Sequence, residues 1–127
     1  MADSRKHRLQ MKLAEIAAVE AFVRVPRRWA CSENEHLQER LREKQITVAG
    51  IAAALKAGKL VEVNRNGQDV RAVVREQGQT AQTVVVVSLC DFRIVTAWKN
   101  HQDDRHTTLD RHVYCWREDI REVLNLD

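Results

Sequence analysis

Residues 60–98 read LVEVNRNGQDVRAVVREQGQTAQTVVVVSLCDFRIVTAW, and their alternation decides the fold. Leu60-Val61-Glu62-Val63 has the two-residue period of a strand. Val70 to Arg75 returns after Asn66-Gly67, a strong type I′ hairpin signal. Thr83 to Leu89 contains Val84, Val85, Val86 and Val87, a β-branched run expected of a strand covered on both faces. Gly78-Gln79 and Cys90-Asp91 supply turns, and Phe92 to Trp98 runs back beside the valines. Four antiparallel strands in a meander are the expected result.

Upstream of Gly58 the period is helical. From Ser4 to Val25, Leu9, Leu13, Ile16, Val19, Phe22 and Val23 fall three or four apart and predict one helix, stopped by Pro26. Arg27-Arg28-Trp29 is a basic–aromatic connector. Ser32 followed by Glu35 is a capping-box pair for a second helix running to about Lys44, with Leu37 and Leu41 inward. Thr47 caps a third, Val48 to Ala57, which Gly58 closes as a left-handed cap. Downstream of the strands, Lys99 to His106 has no apolar period and reads as a loop. Arg117 to Leu124 then reads as a short last helix through Ile120, Val123 and Leu124. The fold class is α+β: N-terminal helices packed on a four-stranded antiparallel β-meander, with a short C-terminal helix. Residues 1–127 make a single domain, with a helical part over 1–58, a sheet over 59–100, and a loop and helix over 101–127.

Composition narrows the setting. The chain is 44% hydrophobic and 31% charged, which excludes the disordered class. No run of eighteen apolar residues occurs, so no membrane partner is expected, and MADSRKHRLQ is too charged for a secretory leader. Cys31, Cys90 and Cys115 are odd in number and widely spaced, which fits a reducing, cytoplasmic location. Twenty-one Lys+Arg against eighteen Asp+Glu give +3, a mild lean toward a polyanion.

His36, Arg40 and Lys44 recur every fourth residue, so one helical face presents an imidazole and two cations. Such a face can move a proton and hold phosphate. Residues at this spacing more often form a solvated charged face, here with Glu39 and Glu43.

In order and spacing, His36 to Asn100 resembles a widespread small-domain family of unassigned function in bacteria and phages. Its pattern is His-x3-Arg-x3-Arg, an Ile-led short helix ending in Gly, and strands finishing in Val-Thr-x-aromatic. Here these are His36, Arg40, Lys44 as the third basic residue, Ile46, Gly58, and Val95-Thr96-Ala97-Trp98. That family is similar to the barnase/EndoU/colicin/RelE-like toxin nucleases. The resemblance implies metal-independent RNA cleavage by 2′-hydroxyl attack, with no cofactor. His36 would be the acid–base residue, Arg40 the phosphate clamp and Thr96 a phosphate hydrogen-bonder. Lys44, Arg71, Arg93 and Trp98 would support substrate binding; His101, read from its place just past the fourth strand and close to Thr96 in sequence, is a candidate second proton-transfer residue. RNA would be the partner, with a protein inhibitor or host protein beside it.

The sequence admits two other readings. Val48 to Gly58 with the Asn66-Gly67 hairpin mimics the helix and wing of a DNA-binding domain, although Val48 to Leu60 lacks Asn, Gln and Arg to read bases. A phage or mobile-element protein binding a host protein without chemistry is the third. His101, His106 and His112 with Asp103, Asp104 and Cys115 lack the tight pairs of a zinc site, so no metal is expected. Trp29 and the basic residues Arg5 to Lys12 read as packing and solvated surface before they read as RNA contacts.

Overall fold

The computed structural model describes residues 7–8, 13–31, 35–66, 69–78 and 80–101. Among these the elements run β1 (His7–Arg8), α1 (Leu13–Arg24), β2 (Ala30–Cys31), α2 (Glu35–Arg42), α3 (Val48–Ala57), β3 (Lys59–Asn66), β4 (Asp69–Arg75), β5 (Ala81–Ser88) and β6 (Arg93–His101). They make an α+β fold with one sheet in the order β1-β3-β4-β5-β6-β2. Strands β3 to β6 pair antiparallel in chain order and form its centre. The sheet is wider than a four-stranded meander and mixed, because β1 joins β3 antiparallel while β2 joins β6 in parallel.

Both additions correct the sequence reading. The helix expected from Ser4 begins at Leu13, and His7 and Arg8 instead pair with Arg65 and Asn64. A sheet edge leaves a row of open backbone groups, and satisfying even two of them outweighs a local helical period. Ala30-Cys31, read as connector, docks on Arg93-Ile94 for the same reason. Lys99 to His101, expected in a loop, continue β6 opposite Thr83 to Ala81. Backbone pairing holds them in the strand although their side chains carry no apolar period. Ser32, Gly67 and the expected helix at Arg117 to Leu124 lie outside the described residues. Asn66, expected in the turn, is instead the last paired residue of β3, opposite Asp69.

The helices cover one face of the sheet: α1 packs on α3 and β3, α3 on β4 and β5, and α2 on β6. Val85 and Val87 point into this layer with Leu37, Ile51 and Ala97, while Val84 and Val86 point the other way with Val61, Val73 and Trp98. Val84, Val85 and Val87 are all 0% exposed, so the valine run is buried on both faces as its composition requires. Glu20 Oε2 accepts the Leu60 amide at 2.8 Å and Arg24 Nη2 donates to the Gly58 carbonyl at 3.0 Å, fixing α1 to the start of the sheet.

Two β-bulges reset the faces. One extra residue lies between Leu60 and Glu62, and the β5–β6 register shifts so that Val86 faces Thr96 while Val87 faces Ile94. Each bulge turns the residue after it to the face away from the helices, because a one-residue slip reverses a strand's sidedness. Glu62 and Thr96 therefore share that second face.

Gly58 differs from its expected geometry. Its φ of −71° and ψ of 162° are extended, and no left-handed turn closes α3. Glycine is needed there for space: the Gly58 amide donates to the Ala54 carbonyl at 2.8 Å, so close that any β-carbon would overlap that oxygen. Thr47 does cap α3, its Oγ1 accepting the Gly50 amide at 3.0 Å.

Candidate functional site

Helix α2 is held to the sheet by Leu37, which is fully buried, and by the partly buried Leu41. Placing these two inward puts Arg40 at the edge of β6. Arg40 Nη1 donates to Thr96 Oγ1 at 3.2 Å and to the Ala97 carbonyl at 2.9 Å. One nitrogen thus occupies an open position on the strand edge. Nη2 and Nε hydrogen-bond no described residue, and the planar guanidinium keeps that side as a fork for an anion. Thr96 uses its oxygen as acceptor, so its own O–H remains a donor.

The end of α2 fixes this geometry. The Gln45 amide donates to the Arg40 carbonyl at 2.9 Å and the Lys44 amide to the Leu41 carbonyl at 3.2 Å, the paired bonds of a Schellman motif. Lys44 occupies its left-handed position at φ 61°, which glycine adopts at least cost. Lys44→Gly is expected to raise stability by about 1 kcal/mol, read as a higher denaturant midpoint at unchanged slope.

His36 is exposed one helical turn before Arg40, which sets the two side chains about 6 Å apart at their β-carbons. Trp98 and Thr96 line one cavity of about 200 Å³ on the second sheet face, with Arg71 at its rim. Arg71 and Arg93 are committed locally. Arg71 Nε lies 2.6 Å from Asp69 Oδ2, and Arg93 Nη1 lies 2.5 Å from Asp91 Oδ2. Ser88 Oγ donates to the other Asp69 oxygen at 2.6 Å. Paired in this way, the two arginines add little net positive charge at the site.

The remaining residues stand elsewhere. Lys44 lies exposed at the helix end. His101 lies five residues beyond Thr96, about 17 Å along the strand, and by alternation on the helix-covered side. His106, His112 and Cys115 lie outside the described residues.

The chain matches no family model, no curated protein and no solved structure. The site therefore stands on its own geometry.

The basic–aromatic connector turns inward. The Arg27 guanidinium sits 4.5 Å from the ring centres of both Phe22 and Phe92 and 5.6 Å from that of Trp29. Its Nη2 donates to the Phe22 carbonyl at 2.7 Å, and burial lowers its pKa. Phe92 reaches this cluster from a left-handed turn at φ 54°. Arg27 and Trp29 are thus a packed cation–π cluster holding the connector against the β5–β6 turn.

Helix α3 buries Ile51, Ala54 and Leu55, and outward it offers mainly alanine, Val48 and Lys56. Its neighbouring hairpin is built into the sheet between β1 and β5 and does not project as a free wing. No described helix is long and apolar enough to cross a membrane.

Three features were not visible in the residue spacing: the bulge that turns Thr96 to the second face, the Ala97 carbonyl as the second Arg40 acceptor, and Glu62 with Asn64 at the β3 end of the cavity. The run Ile94-Val95-Thr96-Ala97-Trp98 carries no register of its own, so only the pairing with β5 reveals the first.

Proposed function

We propose that the protein is a small metal-independent ribonuclease of toxin type, with its cleft where α2 meets the edge of β6. The observation that carries this reading is the 3.2 Å contact between Arg40 and Thr96, residues 56 positions apart in the chain. It gathers a guanidinium, a hydroxyl and, one turn away, an imidazole at an accessible edge.

The chemistry suits these groups. The substrate's 2′-oxygen forms a bond to phosphorus while its proton passes to His36. The bond from phosphorus to the 5′-oxygen breaks, and that oxygen takes up a proton from the imidazolium. A 2′,3′-cyclic phosphate and a 5′-hydroxyl result. Arg40 and Thr96 hold the non-bridging oxygens, where negative charge grows as phosphorus becomes five-coordinate. Trp98, partly buried beside Thr96, offers a face on which a base can stack.

Purified protein is expected to degrade total RNA in EDTA. Thr96→Val keeps the shape of the side chain and removes both its acceptor and its donor. Cleavage should fall about a hundredfold, with stability lowered by only about 1 kcal/mol. A Thr96→Val protein that unfolds at much lower denaturant would instead make the hydroxyl structural. Wild-type protein that leaves RNA intact at every concentration would favour a binding role.

A further inference from the structure

The cavity beside Thr96 has a polar end that phosphate binding does not use. Glu62, Val73, Val86 and Thr96 form one row across β3, β4, β5 and β6 on the second face, with Asn64 and Arg71 in the next row. Three strand spacings separate Thr96 from β3, about 14 Å. With a hydrogen bond of about 2.9 Å at either end, one nucleotide bridges that span. At about 200 Å³ the space is below the roughly 300 Å³ of common small-molecule pockets and suits one planar nucleobase. Valines make its floor and Trp98 one side.

At the β3 end, Glu62 is 1% exposed and Asn64 2%. Asn64 Nδ2 donates to Glu62 Oε2 at 2.6 Å. A carboxylate can only accept, so this bond sets the amide with its oxygen free to accept in turn. Asn64 Oδ1 is buried with no hydrogen-bond partner. An amide oxygen in that state costs about 1–3 kcal/mol until a donor reaches it.

Resting on the phosphate site proposed above, we propose that this cavity is a base-recognition subsite selecting nucleotides that carry an exocyclic amine, with Asn64 Oδ1 as the discriminating acceptor. Guanine, adenine and cytosine each bring such an N–H. Uracil and hypoxanthine turn a carbonyl or a bare C–H to the same place, and the Glu62 carboxylate beside Asn64 disfavours further acceptors. A site built to accept a hydrogen bond rejects the analogue that lacks the donor, because the buried oxygen then stays unpaired.

The test is calorimetric titration of the full chain with 3′-GMP against 3′-IMP, 3′-CMP against 3′-UMP, and orthophosphate alone. Each nucleotide pair differs at the amine position. The amine-bearing member should bind about tenfold more tightly, and Asn64→Leu should cut the preference below about twofold while orthophosphate affinity stays unchanged. Equal wild-type affinities within both pairs overturn the base subsite without any variant. A preference that survives Asn64→Leu overturns the role of Asn64. If orthophosphate fails to bind, or binds equally to Arg40→Ala, the phosphate site falls and this inference with it. Phosphate binding without base preference removes the inference alone.

Discussion

Arg40→Ala should lower RNA cleavage about 10²–10³-fold and stability by about 2 kcal/mol, the largest functional loss expected from a single side chain here. The two effects come from different parts of one guanidinium. Nη1 holds the Thr96 hydroxyl and the Ala97 carbonyl, so its removal reopens the β6 edge and frees the end of α2. The other nitrogens hydrogen-bond no described residue and, in the proposed reaction, would hold the phosphate, so their removal would leave growing negative charge without a fork. Arg40→Lys separates the two. An ammonium supplies a point charge but cannot hold strand and phosphate in one plane, so it should recover part of the stability and little of the activity. Full cleavage by Arg40→Ala would reduce Arg40 to a strut on the strand edge.

Gly58→Ala should be the most damaging small substitution for folding, costing about 3 kcal/mol or more. An added β-carbon would overlap the Ala54 carbonyl oxygen and approach the Arg75 carbonyl to 3.0 Å. Both neighbours are backbone, one in α3 and one in β4, so no side-chain rotation relieves the crowding. The Gly58 carbonyl also accepts from Arg24, so displacing the elbow loosens α1 as well. Chemical denaturation with the slope monitored reads the loss. A midpoint within experimental error of wild type would mean that the helix-to-strand elbow tolerates a wider turn. Cleavage per folded molecule should not change, since Gly58 stands apart from the α2–β6 edge.

The strength of the local pattern decides how much was legible. The valine run, the Thr47 cap and the strand residues of β3 each encode an element within a few residues, and each element is found in place, with the alternation of β3 broken by the bulge after Leu60. The two-residue strands carry no such pattern. His7-Arg8 and Ala30-Cys31 are strands only because β3 and β6 present open edges to them. Arg40 with Thr96 was readable as a pair through the order of motifs along the chain, but the bulge at Val95 that turns Thr96 outward depends on the register against β5. Arg71 and Arg93 looked available because their partners Asp69 and Asp91 lie two residues away on or beside the same strand, where alternation returns both to one face. Charge counted along a sequence does not show which cations a neighbour has already neutralised. Asn64 was hidden for the converse reason: a polar residue in a hairpin strand looks solvated until the bulge after Leu60 fixes its face.

Cleavage by the 2′-hydroxyl is tested with a DNA oligonucleotide that carries a single ribonucleotide, incubated with wild-type protein in EDTA and analysed by mass for its new ends. One cut is expected, directly after the ribose, leaving a 2′,3′-cyclic phosphate and a 5′-hydroxyl, with the all-DNA strand intact. An uncut substrate, or equal cutting of the strand that has no 2′-hydroxyl, would contradict it.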